Sequence, residues 1–163
     1  MEQTLFYILA AVTVIATIFA VSEKHPVHAI VYLVTSFFSL AVVFYLLAAP
    51  LIAMFEVIIY AGAVMVLFMF VIMMLDLGSP EDAVRPPLIH CLPALLLAGI
   101  ILASLVLLIS SRSAGAPATP HLVSVKEFAV TLFGRYGVAI EIISMQLLFA
   151  VVGALYLGRR RKQ

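Results

Sequence analysis

The sequence predicts an all-α integral membrane protein, a bundle of five transmembrane helices with a short amphipathic helix before the last span. Hydrophobic residues fill 66% of the 163 positions and charged ones only 10%, with a mean hydropathy of +1.27; a soluble domain of this size needs far more polar surface. Apolar stretches suited to crossing a ~30 Å hydrocarbon core, which takes about 20 residues of helix, run over 4–21, 26–48, 51–75, 88–109 and 138–157. Polar or helix-stopping residues separate them. The chain therefore reads as one membrane domain, with an outer linker and surface helix over 110–137.

The first span follows "MEQT". Ala20-Val21-Ser22 has the look of a signal-peptidase site, but that opening is acidic where a signal peptide needs positive charge, so a retained helix is expected. Ser22-Glu23-Lys24-His25-Pro26 ends the span. Ala49-Pro50 makes a tight turn and puts proline at the first position of the third helix, where its missing N–H costs nothing. "DLGSPEDAVRPP", residues 76–87, separates the third span from the fourth. The long connection begins with the small-residue, proline-containing linker "SSRSAGAPATP". It continues as "SVKEFAVTLFG", where Ser124 and Glu127 match a capping box, Val125, Phe128, Ala129, Leu132 and Phe133 share a face, and Gly134 can stop the helix. This helix should lie on the outer membrane surface or against a neighbouring subunit.

Nine Lys and Arg against eight Asp and Glu leave no basic face for nucleic acid. The single Cys91 forms no internal disulfide, and four scattered histidines enclose no metal. His25 and His28 flank Pro26, and His90 precedes Cys91, positions that suit capping or surface roles. Glycine-rich phosphate loops, catalytic triads and thiol-redox pairs are all missing from the sequence. Five spans put the termini on opposite sides, and the positive-inside rule chooses between them. With the N-terminus outside and the C-terminus cytoplasmic, Lys24, Arg85, Arg159, Arg160, Arg161 and Lys162 lie inside and Arg112, Lys126 and Arg135 outside.

Polar groups within the spans are the candidates for function. Glu56 lies ~10 Å from the middle of the third span along a 1.5 Å rise, inside the hydrocarbon, where an ionisable group faces a bundle interior, a partner or a water-filled path. Proton transfer and a structural hydrogen bond to another helix are both open readings of it. Glu141 repeats the pattern near the start of the last span. In the orientation above both carboxylates enter from the outer side and can meet one water chain, although a group so near the interface also snorkels cheaply. Tyr7, Tyr45 and Tyr136 fit an outer aromatic belt, and Tyr32 and Tyr156 lie toward the inner ends. Tyr60 fits neither. It follows Glu56 by four positions, where its hydroxyl can reach water near the carboxylate. Ala61, Gly62 and Ala63 then remove bulk at mid-membrane, which eases irregular backbone and equally suits close helix packing. Gly99 and Ala103, or Ala150 and Ala154, suit packing alone.

"EVIIYAGAVMVLFMFVIMMLDLG" closely resembles the third helix of the subunit J family of bacterial NADH:quinone oxidoreductase, respiratory complex I, whose signature is a Tyr-x-Gly-Ala core before a Val/Leu/Phe/Met-rich run. "HPVHAIVYLV" is similar to the family's opening of helix two, with His25 in place of the more usual Asn. "LFGRYGVAIEIISMQLLFAVVGALYLGR" is similar to its final helix. The linker over 111–120 has no counterpart.

The resemblance implies a non-catalytic subunit of the proton-translocating enzyme, in the bacterial inner membrane, packed among subunits A, H and K and lipid. It implies no cofactor on this chain, with NAD, FMN, iron–sulfur clusters and quinone on other subunits. It also implies a π-bulge at Tyr60, Ala61, Gly62 and Ala63 that helix rotation makes or removes, changing water access along a path that includes Glu56. A stand-alone ion transporter and a passive scaffold remain as alternatives. The transporter lacks a visible inverted repeat, and the scaffold gives no reason for a buried acid.

Overall fold

The computed structural model describes residues 2–75, 92–113 and 123–159, and among these every regular element is helical. Among the described residues, five helices are long and apolar enough to cross a membrane. The first span is Glu2–Ser22, the second Pro26–Leu46, and the third runs continuously over Pro50–Met74. The fourth is Leu92–Ser113 and the last Gly137–Arg159. The start of the fourth span at 88–91, the 76–87 connection with Arg85, His90 and Cys91, the later part of the linker, and Arg160 to Lys162 lie outside the described residues.

The chain divides into two compact units, Met1–Leu122 and Val123–Gln163. In the first, the second span is central, packing against the first, third and fourth. Lipid tails are as apolar as leucine, so burial alone does not join helices in a bilayer; close packing and interhelical hydrogen bonds do. Leu9, Val12 and Ala16 form the buried stripe of the first span and meet Tyr32, Val43, Leu97 and Ile101. Their three- and four-residue spacing is that of one helix face. Hydroxyls knit the same seam. Ser39, fully buried, donates to the Leu9 carbonyl at 2.9 Å. Ser36 donates to the Thr13 carbonyl at 3.2 Å, and its hydroxyl is 2.9 Å from that of Thr17.

The turn into the third span explains its proline. The Ala49 amide donates to the Phe44 carbonyl at 3.1 Å and the Ala48 amide to Tyr45 at 3.2 Å, closing the second span with a left-handed residue, Ala48, at φ 59°. Pro50 then starts the next helix at its first turn. The small residues expected to pack the fourth span behave otherwise: its buried face is Leu97, Ile101, Ser104 and Leu108, while Gly99 and Ala103 are exposed. Tyr32, expected toward an inner belt, is buried, with its ring 5.6 Å from that of Phe19.

In the second unit, the surface helix spans Val125–Arg135 with Ser124 as its N-cap. The reciprocal capping box does not form. Ser124 makes no side-chain cap bond; its carbonyl accepts the Phe128 amide at 2.9 Å instead, so the backbone closes the first turn. Gly134 does not stop the helix, which continues one residue to Arg135 and ends at Tyr136. Phe128, Ala129 and Leu132 are half-buried, whereas Val125 and Phe133 are exposed, a narrower face than the sequence suggests. No residue of the last span is buried.

Candidate functional site: a π-helical segment in the third span

The third span changes hydrogen-bonding pattern along its length. Pro50–Phe55 is α-helical, Glu56–Val64 is a nine-residue π-helix, and Met65–Met74 is α-helical again. The Met65 amide that closes the segment points to the carbonyls of Gly62 and of Tyr60, the latter five residues back. Most π-helical turns are single bulges, so a run of this length in one span is unusual, and such segments recur at functional sites. Backbone torsions at its borders stay right-handed: Glu56 has φ −57° and ψ −49°, and Met65 has φ −70° and ψ −36°. The irregularity therefore lies in pairing, without a break in the helix.

Side-chain burial records the altered register. Ala53, Glu56, Ala61 and Met65 are buried, in steps of three, five and four residues. The five-residue step falls inside the π segment, where a uniform α-helix would continue by threes and fours. Gly62 sits where room is short: a Cβ added there would lie 3.2 Å from the Val57 carbonyl oxygen, five residues earlier. That distance is tight enough that the backbone must give by a few tenths of an ångström.

Glu56 is 8% exposed, and no hydrogen bond or ion pair of its carboxyl forms among the described residues. No fully enclosed side-chain oxygen there lacks a partner, so the carboxyl oxygens keep access to the surface of this chain. The structural hydrogen bond to another helix of this chain, one of the two readings of Glu56, is thus not formed among these residues.

The other candidates are placed differently. Tyr60, four residues on, is 48% exposed, so burial separates it from Glu56; its ring instead meets Phe37 of the second span. Ala61 is buried, Gly62 half-buried and Ala63 exposed. Glu141 belongs to the second unit, where it is exposed one turn into the last span. Among the described residues, no group of three or more His, Cys, Asp or Glu could hold a metal ion. His25 and His28 approach each other, with ring centroids 5.7 Å apart.

Two features escape the residue-by-residue reading. One is the Phe37 contact. The other is the row of hydroxyls Thr35, Ser36 and Ser39 in an otherwise apolar span, two of which bond to the first span. Their one-, three- and four-residue separations are the available signal, because they put hydroxyls repeatedly on the buried side of one helix.

The fold and this segment define a multi-pass membrane protein whose third span holds a buried carboxylate at the head of a π-helix. Residues 16–157 match the family model described as NADH-ubiquinone/plastoquinone oxidoreductase chain 6. The chain is 38% identical over 159 residues to NADH-quinone oxidoreductase subunit J of Pseudomonas aeruginosa, covering 95% of each. It is 37% identical over 161 residues to the protein of that name from Escherichia coli K12, covering 96% of this chain and 86% of the relative. Against the Rhodobacter capsulatus protein the identity is 34% over 166 residues, covering 96% and 81%. The chain belongs to the NADH-quinone oxidoreductase subunit J family.

Proposed function

We propose that this chain is a membrane-arm subunit of a proton-translocating NADH:quinone oxidoreductase and that its third span couples quinone reduction to proton movement. The observation that carries the reading is the π-helical run Glu56–Val64, headed by Glu56, a carboxylic residue only 8% exposed within an apolar span. Converting the π segment to α-helix removes one residue of offset and turns the following half of the span by about 100°, the rotation per residue of an α-helix. Such a turn exchanges which side chains of 65–74 meet the second span, and with them the route for water. Glu56, Tyr60 and Glu141 contribute to the proton path, and Tyr60, Ala61, Gly62 and Ala63 form the switching backbone.

On this reading the chain performs no bond chemistry and holds no cofactor. NAD, FMN, iron–sulfur clusters and quinone belong to other subunits, and subunits A, H and K are its neighbours in the bacterial inner membrane. It acts as one membrane domain, with its N-terminus outside and its C-terminus cytoplasmic.

The test is Glu56→Gln in the assembled complex. The amide keeps size and hydrogen-bonding capacity but loses the exchangeable acid. Proton pumping should fall more than assembly does. Pumping at the wild-type rate and stoichiometry would return Glu56 to a structural role and leave the proton path without its first member.

A further inference from the structure

The last span, Gly137–Arg159, has its midpoint at Leu148, so Gln146 carries a primary amide about 3 Å from the centre of the bilayer along the helix axis. We propose that this amide docks the span onto a transmembrane helix of another subunit, which meets it with a hydrogen-bonding side chain at the same depth. The proposal rests on the reading of the chain as one subunit of a larger complex and is independent of the switching of the third span.

Depth sets Gln146 apart from the other polar residues of its helix. The hydrocarbon core is about 30 Å thick, which leaves either headgroup layer ~12 Å or more from this position. A glutamine side chain is far shorter than that. Snorkelling, open to Glu141 near one end of the span and to Arg159 at the other, is therefore closed to it. A primary amide brings two donors and an acceptor, and leaving them unmet in hydrocarbon is costly. Ser144 shows the local solution, since its hydroxyl donates to the Ile140 carbonyl at 3.0 Å. Gln146 is exposed and forms no such bond among the described residues of its own unit.

The face around the amide admits a close neighbour. Ala150 and Gly153 follow Gln146 at helical spacing, so the three share one side of the span, and all are exposed. A Cβ added at Gly153 would meet nothing within 4 Å. Packing among the described residues thus gives no reason for a glycine there, although glycine weakens a helix interior. A second backbone drawn against this side supplies one, and close approach is what lets polar side chains bond across helices in a membrane. Glu141 lies about 140° away around the axis, which separates this face from the proton path proposed above.

The amide also states the chemistry of its occupant. Acyl chains fill the bilayer at this depth and offer it no hydrogen bond, whereas a helix with a polar side chain near the bilayer centre satisfies both partners at once. In a complex of several membrane subunits, such a helix comes from a different chain.

The test uses the assembled complex in its native membrane. A diazirine-bearing residue in place of Ala150 should, on illumination, crosslink to another subunit, at a peptide with a polar or ionisable side chain within one helical turn of the attachment site. Gln146→Met removes the amide at nearly constant volume. On detergent titration its ratio of released to bound subunit should rise about threefold, the factor that an average interhelical hydrogen bond in a membrane represents. Gln146→Asn, which keeps an amide, should release less than the methionine variant. Crosslinks from position 150 to lipid, to residues 1–122 of the same chain or to a second copy would overturn the proposal. So would equal release of the two variants, or unchanged or improved retention of the methionine variant, the outcome for a side chain that faces lipid. A chain that purifies from native membranes without other subunits would overturn the reading as part of a complex as well.

Discussion

The ring of Tyr60, in the π-helical segment of the third span, lies against the ring of Phe37 of the second, with centroids 5.5 Å apart and planes 42° from parallel. An aromatic pair of this kind contributes about 1 kcal/mol beyond its buried area. Such an amount shifts an equilibrium between two helix registers roughly fivefold. Phe37→Ala should therefore alter the balance of registers and slow donor-to-quinone turnover severalfold in complexes that assemble normally, whereas Phe37→Tyr should retain most of the activity. Steady-state turnover of the purified complex decides this, and an unchanged rate in the alanine variant would remove Phe37 from the account.

The hydroxyl seam between the first two spans gives a stability prediction. Interhelical hydrogen bonds in membranes average about 0.6 kcal/mol, so Ser39→Ala should lower the temperature at which the complex is lost only slightly. Ser39→Leu should act differently. The side chain is fully buried, and an added isobutyl group must push the two helices apart, so that variant should fail to assemble. Thermal inactivation of isolated membranes measures the first effect and native gel electrophoresis the second; normal assembly of the leucine variant would contradict the packing described.

Orientation is tested by labelling. In a Cys91→Ser background, Thr119→Cys should react with an impermeant thiol reagent from outside only. Reaction from the cytoplasmic face would reverse the topology and with it the claim that Glu56 and Glu141 both lie in the outer half of the membrane.

The five spans are legible in the sequence because each must present about 20 apolar residues and the breaks between them hold proline or charge. Pro26 and Pro50 accordingly mark helix starts in the structure. Glu56 stands out as a candidate for the same reason, since a carboxylate in hydrocarbon demands an explanation. What the residues alone do not convey is the backbone pairing of the third span: Ala61, Gly62 and Ala63 suit irregular backbone and close packing equally, and it is the resemblance to a known family that points to a π-bulge there. That irregularity also defeats the four-residue rule, which groups Tyr60 with Glu56, whereas burial groups Ala61 with it. Partner choice is equally hidden. Gly99 and Ala103 satisfy the small-residue pattern for helix contact yet face away from this unit's core, because the pattern states that a neighbour can approach without saying which one does.

Switching of the third span is tested most directly by Gly62→Val. A Cβ added at this position would lie 3.2 Å from the Val57 carbonyl oxygen, and valine adds two methyls and a stiff χ1 to a backbone that, on the proposed switching, moves between registers. The measurement is coupled donor-to-quinone turnover of the assembled variant complex, read beside the backbone pairing of residues 56–65 in its oxidised and reduced states. The account predicts normal insertion and assembly, slowed turnover, and a segment held in one register in both states. Wild-type coupled turnover in a variant whose segment keeps a single hydrogen-bonding pattern throughout would contradict it, leaving Ala61, Gly62 and Ala63 as a surface for packing.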